Sequence, residues 1–397
     1  MRLAYFVHPH RGGTYSVFTT LRAGLRRRGV ELVWVGLEAP PPRYDNIEDD
    51  GGFYLFPNGR AGPDGPAQVI DRLVREDFDG VFVNVLADPM QMNIVRYLPA
   101  HLLRIMIVHN ITPATYAAAA ALRAHVHATV GVSQRCSDDL VARHGFAPET
   151  TVAIPNAIDL SGFSDIQRMP RPRGQTRLVF LGRVEDASKG VFWLPRILDA
   201  LPQNYTLTIA GDGPDLPELR RRLLAHGSRA SFEGAVGAEA VPSLLARHDM
   251  LVMPSRFEGF GIVCVEAMAA GCVPVVSRIA GVTDTIVEEG VTGRLFPNGD
   301  WRMAARSVQA VGADPSALAA MSARARRSAF DGFGAERMAD AYLALLTALA
   351  RSPTRITPPL PLDRYALPRS FGPGLRAWVP TPVKNWLRAV RERAVSA

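Results

Sequence analysis

Glu258 and Glu266 stand eight residues apart in PSRFEGFGIVCVEAMAAGCVPVVS, positions 254–277, and bracket the densest chemistry in the chain. The apolar run DMLVMPS ends just before Glu258. Gly259, Phe260 and Gly261 then read as a tight turn, and helical spacing begins near Ile262. A glycine turn into a helix leaves backbone N–H groups unpaired at the positive end of the helix dipole, a seat for phosphate. Ionised carboxylates only accept hydrogen bonds, so two glutamates flanking that seat suit the hydroxyls of a sugar or ribose.

A second cluster, LGRVEDASKG at 181–190, offers two cations: Arg183 at the end of a strand and Lys189 read as opening the next helix, both able to reach one cleft. Such a pair neutralises a diphosphate. Each charge-assisted bond contributes about 1.5–3 kcal/mol, and the effect grows as charge develops on a departing phosphate. A lysine at a helix start opposes the dipole and asks for a compensating anion. Earlier in the chain, Gly12 and Gly13 follow the first strand-like run without completing G-x-G-x-x-G, and His109, followed by Asn110, closes LLRIMIVH. No D-x-D metal motif precedes the donor-like cluster; Asp49 and Asp50 read as a solvated turn, so no metal and no cofactor are expected. Cys136, Cys264 and Cys272 form no C-x-x-C pair and read as reduced core thiols.

The elements needed to position these groups are legible as alternation. LAYFVH (3–8), ELVWVG (31–36), GVFVNVL (80–86), LLRIMIVH (102–109) and VHATVGV (126–132) read as strands with helical segments between them, one at 15–28. RLVFLG (177–182), YTLTIAG (205–211), a short strand near 230–233, DMLVMPS (249–255) and VPVVS (273–277) repeat the scheme, with helices near 190–201, 215–226, 238–246 and 261–270, and further helical pattern from Trp301 to Ala350. Alternation of this kind predicts mostly parallel sheets covered by helices, with ligands at the carboxyl ends of the strands. A Pro-, Arg- and Gly-rich stretch between Gly145 and Gly174 is the expected linker. The 397 residues therefore divide into domains at 1–165 and 175–350, with a tail at 351–397.

Hydrophobic content of 47% with 21% charged residues fits an ordinary globular protein and excludes global disorder. No run of about 18 apolar residues promises a spanning helix, and the start MRLAYFVHPHRGG lacks a signal-like apolar stretch, so a cytoplasmic setting is expected. The net charge of +7 comes wholly from the tail, where nine Lys and Arg face two acids and eight prolines lie between Pro353 and Pro382. The bulk charge is thus no sign of nucleic-acid binding. The tail has two readings: a helix, either 334–350 or the final WLRAVRERA, packs back on the first domain, or a basic amphipathic end makes peripheral contact with anionic lipid at the inner membrane face.

Taken together, the E-x7-E of Glu258 and Glu266, the Arg183 and Lys189 pair, AGDGP at 210–214, PNAID at 155–159 and GVTGRLFP at 290–297 resemble the family 4 glycosyltransferases. The resemblance covers about residues 1–350 and implies the GT-B fold: two Rossmann-like doubly wound domains facing a central cleft, the first on the acceptor side, the second holding a nucleotide-diphosphate sugar. It implies that Arg183 and Lys189 take the diphosphate with the N–H groups of Phe260 to Val263, that Glu258 touches the donor sugar and Glu266 the ribose, and that the strand end at Ala235 and Val236 lies by the base. It further implies that Gly12, Gly13, Asn110, Asn156, Gly211, Gly259 and Gly261 line the substrates and that His109 faces the transferred sugar. The implied reaction is metal-independent transfer with retained anomeric configuration from a UDP- or GDP-sugar to a glycan, lipid-linked or small-molecule acceptor, in polysaccharide or glycoconjugate synthesis. Asn110, where the family often has aspartate or another polar residue, and RGGTYS, without the acid some members place shortly after the glycines, are departures that fall on the acceptor side. Two rival classes share the fold: a nucleotide-sugar epimerase and a non-catalytic nucleotide-binding scaffold.

Overall fold

A computed structural model describes the chain apart from residues 11, 40–46, 58, 60, 63, 86–87, 172–173, 373–378 and 397, and apart from the side chains of 381, 382, 391 and 393–396 in the last helix. The chain forms two compact units. Unit 1 joins Met1–Ala157 with Ala335–Ala377; unit 2 joins Ile158–Gly334 with Trp378–Ala397.

Unit 1 holds a seven-stranded parallel sheet: β1 (Arg2–Phe6), β2 (Glu31–Glu38), β3 (Gly52–Phe56), β4 (Gly80–Asn84), β5 (Leu103–Val108), β6 (Ala128–Gly131) and β7 (Thr151–Ala153), in the order β3-β2-β1-β4-β5-β6-β7. Leu86, the last residue of the predicted strand 80–86, lies outside the described residues. Central strands such as LRIMIV are covered on both faces, so they read as continuous apolar runs rather than alternating ones. Two of the helices are set by local chemistry. Thr112 caps Pro113–Leu122 through Thr115 N; Ser133 caps Gln134–His144 through Cys136 N, and Gly145 ends that helix at φ 68°. Gly13–Arg26, by contrast, starts at Gly12 with no side-chain cap.

Unit 2 holds six parallel strands: β8 (Thr176–Leu181), β9 (Tyr205–Ala210), β10 (Ala230–Gly234), β11 (Met250–Met253), β12 (Val273–Arg278) and β13 (Arg294–Pro297), ordered β10-β9-β8-β11-β12-β13. One core runs through it, including Leu178, Phe180, Ile209, Leu219, Val252, Val275, Phe296 and Val308. In both sheets the strand order reverses once, between β1 and β4 and between β8 and β11. At such a switch point the loops leaving the two adjacent strands diverge to opposite faces and leave a crevice. These are the two Rossmann-like doubly wound sheets of the GT-B fold.

Several sequence boundaries move. Predicted linker residues 151–153 form β7, and the chain passes between units at 157/158, earlier than the expected 165–175. Ile158 and Gly334 form a parallel bridge, with Ile158 N donating to Phe333 O at 3.0 Å, so the chain enters and leaves unit 2 side by side. The helix Ala335–Arg351, assigned by pattern to the second domain, belongs to unit 1, where Arg28 pairs with Asp340 and Tyr342 lies edge-on to Phe82 at 5.7 Å.

The tail does not stand apart from both cores. Its proline-rich part straps unit 1: Thr357 N donates to Ala124 O and Leu360 N to Arg96 O, both at 2.8 Å, and Tyr365 packs on Tyr97 at 4.9 Å. The final helix, Thr381–Ser396, packs on unit 2 instead, so the returning element is the earlier helix. Among the described residues no helix is long and apolar enough to cross a membrane.

Candidate active site

In unit 2 both loops of the switch point carry the predicted chemistry. The loop after β8 brings Lys189 and the loop after β11 brings Glu258, whose Oε1 accepts from Lys189 Nζ at 2.6 Å and from Ser255 Oγ at 2.6 Å. Glu258 is 8% exposed, so its charge needs those partners. Lys189 does not open a helix. It closes the four-residue turn Asp186–Lys189, and Gly190 stops that turn at φ 63°, where a Cβ would overlap Pro254 O. A cation there agrees with the dipole, and the anion it was expected to need is Glu258.

The two loops are stitched together by groups the sequence reading passed over. Arg256 N donates to Ser188 O at 2.8 Å, and the Arg256 guanidinium donates to Asp186 O and Oδ2 at 2.7 Å while lying over Trp193 at 4.0 Å. Asn298 Nδ2 donates to Ser255 O at 3.2 Å and Arg256 O at 3.0 Å. This third cation is therefore spent on framework, and only its position in PSRFEGFG hinted at it. Arg183 lies two residues past β8; its side chain is 66% exposed and, among the described residues, meets only Glu185 at 3.6 Å. The structure joins Lys189 to Glu258 but joins Arg183 to neither.

Beyond Glu258, Gly259 and Phe260 bend the chain, Phe260 turning its ring into the core against Phe333. Gly261, at φ 103°, heads the helix Ile262–Ala269 and has no side chain to cap it; Cys264 N bonds back to Gly261 O, which leaves the N–H groups of Ile262 and Val263 uncapped. Glu266 lies one turn further on, with no hydrogen-bond partner among the described residues, and desolvation pushes its carboxyl up to about 7. Gly182 and Gly211 follow β8 and β9 at φ 142° and 139°. They pack so closely that a Cβ on Gly211 would overlap Gly182 O. Past β10, Val236 lines a cavity of about 210 Å³ with Glu233, Ala235, Gly237, Ala240, Leu244 and Arg247.

One more group reaches these loops. Arg388, on the last helix, donates to Ala187 O at 3.0 Å and lies over the Phe257 ring at 4.6 Å, two residues from Lys189 and one from Glu258 respectively.

Unit 1 gathers a different set at its own switch point. His109 follows β5, and its Nε2 lies 2.6 Å from Asn84 Oδ1 at the end of β4. Asn84 Nδ2 donates to Phe6 O at 2.8 Å, which fixes the amide so that Oδ1 must accept. His109 therefore carries its proton on Nε2 and keeps a lone pair on Nδ1. Burial lowers its pKa to about 4, so the ring is neutral at neutral pH. Asn84 was not among the predicted residues; a lone asparagine at a strand end gives no signal until its neighbour is known. Asn110 turns Oδ1 onto Ile111 N at 2.8 Å, making a local turn, and Asn156 is buried just past β7. Gly12 and Gly13 begin the uncapped helix, with His10 against Gly12 and His8 stacked on His10 at 4.7 Å. Asp49, expected in a solvated turn, is instead a hub: it accepts from Tyr15, from both Arg22 nitrogens and from Gly51 N at 2.7 Å, which holds its carboxyl well below the usual range. Cys136, Cys264 and Cys272 are buried free thiols.

Comparison with known proteins bears on the family and the fold. The model of Glycosyltransferase Family 4 matches residues 11–161 and that of Glycosyl transferases group 1 matches residues 175–314. A glycogen synthase of Mycobacterium tuberculosis is 32% identical over 268 residues, which is 62% of this chain and 63% of that protein, so the chain spans somewhat less than two thirds of this relative. A D-inositol 3-phosphate glycosyltransferase of Geodermatophilus obscurus is 32% identical over 231 residues, 53% of this chain and 50% of that protein. Among solved structures, Anabaena HepE in complex with UDP and glucose superposes with a TM-score of 0.71 at 18% identity, covering 88% of this chain and 100% of that one. With both sheets in GT-B order and the two family models matching one in each unit, the chain belongs to the family 4 glycosyltransferases.

Proposed function

We propose that the protein transfers a sugar from a nucleotide-diphosphate donor, UDP- or GDP-linked, to a glycan, lipid-linked or small-molecule acceptor, without a metal ion and with retention of anomeric configuration. The observation that carries this reading is the Lys189–Glu258 pair at 2.6 Å beside the uncapped start of Ile262–Ala269. On this reading the N–H groups of Ile262 and Val263 and the cations Lys189 and Arg183 take the diphosphate, and Glu258 and Glu266 accept from sugar and ribose hydroxyls. The exposed Arg183 is free to swing onto the leaving phosphate, where neutralisation counts most. The cavity beside Val236 takes the base, and His109 accepts a sugar hydroxyl through Nδ1.

Retention is what the family resemblance implies, and the state of Glu258 bears on its route. A double displacement needs a free carboxylate as nucleophile. Oxygen Oε1 of Glu258 is already held by lysine and serine, which suits hydroxyl recognition rather than attack on carbon. Attack on the same face as the departing phosphate, with that phosphate accepting the acceptor's proton, remains as the route. The buried free thiols fit the reducing cytoplasm where such donors are used.

The test is calorimetry of the full chain with UDP, GDP and ADP and their sugars, repeated with Lys189→Ala and Arg183→Ala. One nucleotide class binds, and each variant weakens it about tenfold or more. No binding in any class, or unchanged affinity in both variants, refutes the donor site. Loss of turnover on EDTA treatment, restored by manganese, refutes metal independence, and inverted product in an NMR assay of the anomeric proton refutes retention.

A further inference from the structure

The last helix, Thr381–Ser396, is inside out. It buries polar side chains, Asn385 at 7% and Glu392 at 6% exposure, while Val383, Trp386, Leu387 and Val390 stand 45–64% exposed. Their spacing of three, one and three residues places all four on one face. Four of the large apolar side chains exposed among the described residues thus fall within eight positions of a single helix, whereas the others are scattered. Scattered apolar exposure needs no explanation, but a contiguous stripe on an otherwise docked helix does.

Charge selects what covers it. Residues 381–396 carry Lys384, Arg388, Arg391 and Arg393 against Glu392 alone, and the whole net charge of +7 resides in residues 351–397. A second copy of the chain would bring the same positive tail and be repelled. A surface that is apolar below and anionic above meets both demands: tryptophan and aliphatic side chains enter the acyl boundary while lysine and arginine remain among the headgroups. We infer that Thr381–Ser396 is a lipid-docking helix that seats the protein on anionic membrane through Val383, Trp386, Leu387 and Val390. Its inner face is committed to unit 2 through Arg388, which bonds Ala187 O and covers Phe257. The inference does not rest on the proposed transfer reaction, and its test does not read activity.

The full chain should co-sediment with vesicles of phosphatidylcholine and phosphatidylglycerol at about three to one, stay in the supernatant with phosphatidylcholine alone, and be released as salt rises from about 0.1 to about 1 M. The double variant Trp386→Ser with Leu387→Ser, altered only at exposed positions, should melt like the parent and lower the vesicle-bound fraction about tenfold. Equal sedimentation of parent and variant, or sedimentation of neither, overturns the proposal. So does a dimer of the parent in analytical ultracentrifugation that the double variant dissolves, which would make the stripe a contact between copies.

Discussion

The two units solve the same topological problem with opposite electrostatics. Each sheet reverses its strand order once and places loops there. In unit 2 those loops carry charge: Lys189 is paired with Glu258, Arg256 with Asp186, and Arg183 is held in reserve. In unit 1 the corresponding place holds a neutral pair, His109 on Asn84, beside stacked His8 and His10. Burial keeps His109 neutral, with no carboxylate paired to it among the described residues. A shared fold thus leaves the polarity of the switch point to a few loop residues, and under the proposed function the charged one is the half suited to a diphosphate.

The most damaging way to break that contrast is Lys189→Ala. It removes the ammonium and strands Glu258, so kcat/KM for the nucleotide sugar should fall about 1,000-fold and unfolding should come about 2 kcal/mol sooner in a denaturant series. Gly211→Ala comes next. Its Cβ would overlap Gly182 O at a φ of 139°, and about 3 kcal/mol of stability should be lost in the same assay. In unit 1, Asn84→Ala frees His109 from its orienting partner and should lower kcat about tenfold with little change in donor affinity. Asn84→Asp imports the missing charge. The His109 pKa, followed by NMR, should climb from about 4 to above its ordinary 6.5, giving unit 1 the ionic character of unit 2.

The smallest expected effect is a pH dependence. Because the folded protein raises the Glu266 pKa to about 7 from 4.5, it retains a proton that the unfolded chain has released between those values. Stability from this group is therefore present below pH 4.5, declines as pH rises to about 7 and is flat above. Glu266→Gln should remove that slope and melt later than the parent at pH 8 by about 1 kcal/mol. Donor affinity of the parent should rise as pH passes 7, while that of the variant stays level.

Strands buried on both faces were readable because water-excluded sheets demand unbroken apolar runs, as in LRIMIV and RLVFL. β3, β7 and β13 escaped, since three to five residues such as TVA carry too little pattern to stand out from a loop. Lys189 was placed at the wrong end of its turn because DASK is too short to show periodicity and the stop at Gly190 depends on the approach of Pro254 O. Glu258 and Lys189 were legible from their motifs, whereas Ser255, which donates to Glu258, and Asn298, which holds the Ser255 and Arg256 carbonyls, were not, because they become informative only when tertiary folding brings them together. Asp49 looked solvated for the same reason: Arg22 and Tyr15 lie far from it in sequence. The tail's two docking places rest on contacts that composition does not encode: backbone bonds to Ala124 and Arg96 on unit 1, and the Arg388 side chain on Ala187 O in unit 2.

The bridge between Ile158 and Gly334 gives unit 2 the topology of an insertion whose ends meet. A segment with touching ends can be lifted from its host without stretching what remains: a linker of a few residues from 157 to 335 would close unit 1, at the small entropic cost of a short loop. Residues 158–334 are thus a cassette set into the middle of another domain, and the same stretch of a related chain can be grafted at that seam while unit 1 keeps its own chain, its proline strap included.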